Sequence, residues 1–182
     1  VCSSDLVNKL SDTKNWKINH DMYEKYQEKA NLIKPLVVHI RLGDYTKESG
    51  IGILSEDYYI EAFKYVLSKI ERKGIWIFSD DVQSARRLLA NLDLSDAEFV
   101  DTIKENSATT LSLMTLGSNF IVANSTFSWW ASFLSDASKI WMFNRWTDTP
   151  DLYHLNKMHN GIPVDGPFIK SFYSKIIICV RF

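Results

Sequence analysis

The sequence is poor in the residues and segments that mark several specialised classes of protein. It has two cysteines, Cys2 and Cys179, at opposite ends of the chain, so neither a disulfide framework nor a C-x-x-C metal or redox pair is indicated. The longest apolar run covers 176–180, whereas a membrane-spanning helix needs roughly 20 residues. The opening residues lack the charged-then-apolar pattern of a secretory signal. We therefore expect a soluble protein.

Excess charge of either sign is also absent. The chain has 21 Lys and Arg against 22 Asp and Glu, a formal charge of −1, which excludes a nucleic-acid binder driven by bulk positive charge. Hydrophobic residues make up 46% and charged residues 24%, as in ordinary globular proteins that bury a core. At roughly 100–200 residues per domain, this length suits one full domain with short additions.

The common nucleotide-binding and hydrolase motifs are missing. The sequence has no G-x-x-x-x-G-K-[ST] phosphate loop and no G-x-S-x-G nucleophile elbow. Its only G-x-G, at 50–52, has Ser55 where a third glycine is needed, which argues against a dinucleotide fingerprint. No two aspartates form a D-x-D pair. A nucleotide sugar would therefore need arginine and backbone N–H groups, rather than a metal, on its phosphates.

Short apolar segments alternate with helical patterns through the middle of the chain. Apolar runs rich in β-branched or aromatic residues, short enough for buried strands, occupy 36–40, 75–78, 98–100, 120–123 and 140–143. Helical spacing covers 20–34, a stretch from Ser55 to a stop at Gly74, a stretch from Asp80 or Asp81, 109–116 and 125–134. This alternation predicts an α/β fold, a Rossmann-like parallel sheet with helices on both faces.

The pattern also suggests how the chain is divided. Residues 1–34 are interpreted as an N-terminal segment with a linking helix, residues 35–154 as the Rossmann-like domain, and residues 155–182 as a tail without assignment. The chain opens at Val1 rather than Met, and its first residues are polar and patternless. We expect that an upstream part is missing, with any targeting signal it carried.

Polar residues gather where the first predicted strand ends, the place where open parallel sheets bind ligands. Strand alternation puts His39 and Arg41 on one face, so an imidazole would project beside a guanidinium fork suited to phosphate oxygens. Taken alone, an ion pair between Arg41 and Asp44 and a core role for His39 are the commoner explanations.

The densest polar cluster follows the fourth apolar run. Asn124, Ser125, Thr126, Phe127 and Ser128 precede a helical pattern, so hydroxyls and N–H groups at a helix N-terminus would face the same crevice and bind an anion. Helix capping by Ser125 or Thr126 explains the same residues and is compatible with anion binding. Asn124 also begins a glycosylation sequon, which we expect to be buried and unmodified.

A third cluster follows the second apolar run and is open to two interpretations. Ser79, Asp80 and Asp81 either cap the next helix or accept hydrogen bonds from the base and ribose of a nucleotide.

Three motifs together resemble a known family. The segments V-H-I-R-L-G-D-Y at 38–45, W-I-F-S-D-D at 76–81 and N-S-T-F-S-W-W at 124–130 are similar in order and spacing to those of the glycosyltransferase family 11 alpha-1,2-fucosyltransferases. The similarity covers about 36–146. It implies the C-terminal, donor-binding part of a GT-B enzyme that moves L-fucose from GDP-fucose to the 2-hydroxyl of a terminal galactose in a glycan acceptor. Transfer would proceed with inversion and without a required metal or other cofactor.

The resemblance also implies roles for individual residues. Arg41 would grip the diphosphate and stabilise charge on the departing GDP, while His39, Ser79, Asp80 and residues 124–128 would bind the donor. Asp44 is a candidate catalytic residue. Pairing with Arg41 would lower its pKa and favour a structural role, which leaves the catalytic base to a part of the protein outside this chain.

Two features depart from the family pattern. Leu42 stands where related motifs have a second arginine, and the chain has no room for the N-terminal, acceptor-binding domain, which we expect in the full-length protein. The alternatives are an inactive truncated relative or a non-catalytic carbohydrate-binding module with exposed tryptophans at 129, 130, 141 or 146. The compartment stays open between the cytoplasm or membrane periphery of a bacterium and the Golgi lumen, if a signal anchor was lost.

Overall fold

The computed structural model describes residues 16–43 and 54–141 and the short strand at 163–165. The helices are α1 (His20–Ile33), α2 (Glu56–Leu67), α3 (Val82–Leu88), α4 (Ser107–Thr115) and α5 (Thr126–Leu134). The strands are β1 (Leu36–Ile40), β2 (Ile75–Ser79), β3 (Ala97–Phe99), β4 (Asn119–Ile121), β5 (Lys139–Trp141) and β6 (Pro163–Asp165). None of the helices described is both long and apolar enough to cross a membrane.

The strands form one sheet in the order β3-β2-β1-β4-β5-β6. Strands β1 to β5 are parallel to one another, and β6 pairs antiparallel with β5. In the centre, Leu36 of β1 aligns with Ile75 of β2 on one side and with Asn119 of β4 on the other. The predicted Rossmann-like fold is thereby confirmed, and its topological switch point lies between β1 and β4.

Helices cover both faces of the sheet. Val37 of β1 packs in a core layer with residues of α1, α4 and α5, whereas its neighbours Leu36 and Val38 pack in a second layer with residues of α2 and α3. Every residue of β1 is buried. Burial on both faces explains why a central parallel strand has a continuous apolar sequence instead of an alternating one.

Most helix starts follow from local sequence. Asn19, Ser55, Asp81 and Asn106 stand immediately before α1, α2, α3 and α4, and the side chain of each accepts a hydrogen bond from the backbone N–H three residues later. This satisfies a donor that has no partner inside the helix. The starts after Ser55 and Asp81 agree with the prediction.

Several predicted boundaries are wrong by a few residues or more. Helix α2 ends at Leu67 rather than at Gly74. A Cβ atom at Gly74 would lie 2.6 Å from Cδ1 of Ile33, so this glycine allows close packing before β2 and does not stop the helix. Helix α4 starts at Ser107, two residues before the prediction, because Asn106 caps it. Strand β6 lies in the stretch that received no assignment.

Helix α1 is held against the edge of the sheet by a polar cluster. The hydroxyl of Tyr26 donates to Oε1 of Glu98 at 2.7 Å, Lys29 forms an ion pair with the same carboxylate, and the ring of Tyr26 packs edge-on against Trp76 with centroids 5.1 Å apart. The hydrogen bonds from Lys29 and Tyr26 hold the pKa of Glu98 below its usual value, although burial opposes the shift.

Replacing Tyr26 with Phe should lower the free energy of unfolding by about 1–2 kcal/mol, because a buried ring stays while a hydrogen bond to a charged group is lost. Urea denaturation would measure the change. Tyr23→Phe is the matched control, since the Tyr23 ring packs against the same core layer but its hydroxyl accepts a 3.5 Å bond from the uncharged, exposed Gln27. Equal losses of unfolding free energy in the Tyr26 and Tyr23 variants would contradict a stabilising hydrogen bond from Tyr26 to Glu98.

Candidate functional site

A cleft of about 590 Å³ opens beyond the carboxyl ends of β1 and β2, bounded by the loop after β3 and by the starts of α4 and α5. Seven residues that the sequence analysis singled out line it: His39, Arg41, Ser79, Asp80, Ser125, Thr126 and Phe127. The arginine of the first motif and the hydroxyl-rich turn of the third therefore share one pocket. Their roles in binding stay predictions.

Two other predicted residues, Asn124 and Ser128, are not among the described residues that line the cleft. Asn124 and Ser128 are buried, and the Ser128 hydroxyl is within hydrogen-bonding distance of the carbonyl oxygens of Ala123 (3.4 Å) and Ser125 (3.1 Å). Asn124 thus belongs to the packed turn before α5, and Ser128 belongs to the buried face of its first turn. Burial of the sequon at Asn124 agrees with the expectation. Asp44 lies outside the described residues.

The carboxylate of Asp80 organises the loop after β1. Its Oδ1 accepts from the backbone N–H of Leu42 at 3.0 Å, and its Oδ2 accepts from that of Gly43 at 2.9 Å. Nη1 of Arg41 lies 3.3 Å from the same Oδ2. The two side chains are 30% and 23% exposed, so the ion pair itself adds about 1 kcal/mol or less. Its main effect is to place Arg41 at the cleft.

Glycine at position 43 is required by this arrangement. A Cβ atom there would lie 2.6 Å from Oδ2 of Asp80, closer than such atoms approach. Both oxygens of Asp80 are engaged by the loop that carries Arg41, which favours a positioning role for this carboxylate over direct contact with a ligand. Within the described residues Arg41 pairs with Asp80, and the ion pair with Asp44 stays a prediction because Asp44 lies outside them.

His39 is a buried imidazole in the wall of the cleft. It is 5% exposed, its Nδ1 has no hydrogen-bond partner within the described residues, and its ring centroid lies 6.1 Å from that of Phe127. Burial lowers its pKa to about 4; Arg41 adds to the shift and Asp80 opposes it. His39 is therefore neutral near pH 7 and offers one N–H donor and one acceptor, but no charge.

The start of α5 differs from the other helix starts. Ser125 occupies the N-cap position with an extended backbone, yet its side chain makes no capping hydrogen bond. The first N–H groups of α5 consequently lack a side-chain acceptor from the N-cap, and Ser125, Thr126 and Phe127 line the cleft. A helix N-terminus in this state carries partial positive charge and binds anions. Side-chain capping, the alternative explanation for Ser125, does not occur.

Asp81 and Ser79 shape the turn between β2 and α3. Asp81 accepts from the backbone N–H of Ser84 at 2.9 Å and from its hydroxyl at 2.6 Å, and these bonds hold the pKa of Asp81 below its usual value. The Ser79 hydroxyl bonds the backbone of Asp81. The cluster that follows β2 thus combines a helix cap, Asp81, with a positioning carboxylate, Asp80.

One wall of the cleft contains none of the residues predicted to bind the donor, although polar residues were expected at the end of β3. This wall is formed by the loop after β3 and the first turn of α4, and it comprises Thr102, Ile103, Glu105, Ser107 and Thr110. The available signals were the N-cap Asn106 and the aspartate at 101, which accepts from the N–H of Ile103 at 3.1 Å. Both indicate an ordered turn at a strand end. Within the described residues, no group of three or more His, Cys, Asp or Glu is placed to hold a metal ion.

Comparison with known proteins points to one family. The family model for glycosyl transferase family 11 matches residues 11–158. The O-antigen biosynthesis glycosyltransferase WbnK of Escherichia coli is 32% identical over 143 residues, which are 73% of this chain and 42% of WbnK. An alpha-1,2-colitosyltransferase of Escherichia coli is 32% identical over 104 residues, 54% of this chain and 36% of that protein. The chain thus spans less than half the length of these relatives.

Two solved structures overlap the chain at lower similarity. The NodZ alpha-1,6-fucosyltransferase co-crystallised with GDP has a TM-score of 0.46 and 16% identity, over 79% of this chain and 48% of NodZ. POFUT1 in complex with GDP-fucose has a TM-score of 0.40 and 17% identity, over 62% of this chain and 43% of POFUT1. Likeness at this level says nothing about individual site residues.

The contact between Gly43 and Asp80 can be tested by a double-mutant cycle. Gly43→Ala should lower the free energy of unfolding by about 1–3 kcal/mol, because the added methyl group forces the carboxylate out of place. In an Asp80→Ala background the same change should cost much less, since the atom it strikes is gone. Urea denaturation of the unmodified protein, the two single variants and the double variant gives the coupling free energy between the two positions. Strictly additive losses of stability would contradict the contact between position 43 and Asp80.

The buried, neutral state of His39 makes stability depend on pH. The pKa of His39 is about 4 in the folded protein against ~6.5 in an unfolded chain. The stability that this histidine contributes is therefore fully present above pH 6.5 and is lost as the pH falls toward 4. Between these values the unfolded state binds the extra proton. Urea denaturation between pH 7 and 4.5 should show a shallower loss of stability in His39→Asn. His20→Asn, at an exposed position of α1, should keep the original slope.

Proposed function

The chain belongs to glycosyl transferase family 11, and on that premise we propose that its cleft binds the diphosphate of a nucleotide sugar. The protein to which it contributes would transfer L-fucose from GDP-fucose to the 2-hydroxyl of a terminal galactose in a glycan acceptor. One observation carries the proposal. Arg41 and the start of α5, which has no side-chain cap, line the same cleft at the topological switch point.

The charges around this end of the cleft suit a diphosphate. Arg41 is the one Lys or Arg among the described residues that line it, and its planar fork matches a pair of phosphate oxygens. The N–H groups of α5 supply partial positive charge from fixed positions. His39, neutral because it is buried, can donate a hydrogen bond. We propose that these groups together bind the diphosphate without a metal.

The same groups would assist departure of the nucleotide. In an inverting displacement the acceptor hydroxyl oxygen bonds to the anomeric carbon, while the bond from that carbon to the phosphate oxygen breaks. The electron pair stays with the leaving diphosphate and increases its negative charge. Arg41 and the α5 N–H groups are placed to stabilise this added charge, so they bind the transition state more tightly than the intact donor.

The hydroxyl proton must pass to a base. Asp44 remains a candidate from its position after β1 in the sequence. Our proposal assigns it a structural role in preference and leaves the base to the acceptor-binding part of the protein. The relatives matched are more than twice as long as the segments they share with this chain, which supports a contribution from another part.

The donor sugar is a question separate from the binding of the diphosphate. Motif similarity favours fucose, whereas one relative is named for colitosyl transfer. The protein groups described in the cleft address the diphosphate rather than the sugar ring. One experiment must therefore test whether the cleft binds a nucleotide sugar, and another must compare the sugars that are transferred.

A carbohydrate-binding module with exposed tryptophans is less well supported. Trp129 and Trp141 are buried, and Trp129 stacks on Phe133 with centroids 5.1 Å apart. Trp130 is half-buried and packs against the core beside them. These rings fill the interior, so they do not offer a flat platform for sugars. Trp146 lies outside the described residues.

Titration calorimetry with GDP-fucose, in the presence of EDTA, tests the binding proposal. Arg41→Ala should weaken binding by about 1.5–3 kcal/mol, the range for a hydrogen bond to a charged group. Arg72→Ala is the matched control, because Arg72 also pairs with an aspartate, Asp96, but is not among the residues that line the cleft.

Equal affinity of the Arg41 variant and the unmodified chain would overturn the role of Arg41, and dependence on an added divalent metal would overturn the metal-free mode. Binding of glycans without any nucleotide would favour the carbohydrate-binding module instead. Comparison of GDP-fucose with GDP-colitose as donors, with the linkage of the product determined by NMR, would decide between fucosyl and colitosyl transfer.

A further inference from the structure

The wall formed by the loop after β3 and the first turn of α4 lies across the cleft from the start of α5. Strands β2 and β1 separate β3 from β4, and each strand adds roughly 4.8 Å, so the loop after β3 stands about 10 Å from Arg41 at the end of β1. If the diphosphate lies at Arg41, as proposed above, its nucleoside can extend toward this loop. The wall would then contact the base.

The chemistry of this wall suits a base and not a phosphate. It contributes no Lys or Arg to the described lining of the cleft, but it does contribute the carboxylate of Glu105. A phosphate would be repelled there. The other carboxylate in the lining, Asp80, has both oxygens bonded to the loop after β1, so Glu105 is the acid better placed to receive hydrogen bonds from a ligand.

Glu105 is oriented by a residue from a distant part of the chain. Nδ2 of Asn19 donates to Oε1 of Glu105 at 3.1 Å. The Asn19 amide is itself fixed, since its Oδ1 accepts from the N–H of Met22 at 3.1 Å, and its backbone N–H donates to Oγ1 of Thr109 at 2.9 Å. A carboxylate has about four acceptor positions, so this bond orients Glu105 and leaves capacity for a ligand.

An exposed apolar side chain stands beside this carboxylate. Ile103 lines the cleft and is 77% exposed, although its backbone is held by the bond from its N–H to Asp101. Only Leu32 is comparably exposed among the large apolar residues described. An ordered loop that presents isoleucine to a polar cleft offers apolar contact to the flat face of a base.

We propose that Glu105 determines the base preference of the cleft by accepting hydrogen bonds from two adjacent N–H donors on the base edge, while Ile103 packs on the face of the base. Guanine presents such a pair, N1–H and the 2-amino group. Adenine has an unprotonated N1 beside its amino group, and this lone pair would face a carboxylate oxygen. Asn19 acts as a positioning residue. The inference rests on the proposed binding of a nucleoside diphosphate.

Calorimetric titration of the 182-residue chain with GDP, ADP and inorganic pyrophosphate tests the role of Glu105. Glu105→Gln should weaken GDP binding about tenfold or more, reduce the preference for GDP over ADP by a similar factor, and leave pyrophosphate binding unchanged. Asp101→Asn is the matched control, because Asp101 is a neighbouring carboxylate outside the lining, and its amide can still accept from Ile103. It should keep the preference.

Two further variants test whether Asn19 orients Glu105 and whether Ile103 packs on the base. Asn19→Asp keeps a good cap on α1 but loses the N–H donor, so it should reduce the preference for GDP in the same direction as Glu105→Gln. Ile103→Ala should weaken GDP and ADP equally, by roughly three- to tenfold, whereas Leu32→Ala should change neither.

The outcomes separate this inference from the proposed function. If the unmodified chain binds neither nucleotide nor pyrophosphate, both fail. If it binds GDP and the Glu105 variant keeps the full preference, or the preference is lost in the Asp101 variant instead, the inference fails and the proposed function stands.

Discussion

The carboxylate of Asp80 is the contact on which the cleft depends. It bonds the N–H groups of Leu42 and Gly43 and lies against the guanidinium of Arg41, so one side chain at the end of β2 sets the path of the chain after β1. The neighbouring strands are parallel and in register, with Ile40 opposite Ser79, which brings the two strand ends together. This contact helps to hold the charge of Arg41 at the switch point.

If the cleft binds a diphosphate as proposed, it does so with few full charges. A second cation beside Arg41 would repel it in a space of low dielectric constant, and burial keeps His39 neutral instead. Positive potential comes from N–H groups at the start of α5, where the serine at the N-cap makes no cap. These groups do not repel the guanidinium as a full charge would, and they are held in place by the packing of Trp129 and Phe133 behind them.

Much of the architecture could be predicted from local patterns. Short apolar runs identified the five parallel strands because the central strands are covered on both sides, and β3, β4 and β5 begin only one residue earlier than expected. The helix starts after Ser55 and Asp81 were found because capping is a local interaction. Gly74 was misinterpreted as a helix stop since its actual requirement, space for the side chain of Ile33, arises between residues far apart in sequence.

The sequence by itself determined the class of fold, the family, and the convergence of the first and third motifs, since each of these follows from periodicity or from residues close together in the chain. Only the tertiary structure decided that Arg41 pairs with Asp80, that the cap of α5 is left unmade, and that Asn19 bonds Glu105 in the far wall of the cleft. The two contacts join residues 39 and 86 positions apart, and the missing cap depends on where a side chain turns. Composition and spacing do not encode such choices, because they are settled by the packing of whole strands and helices against one another.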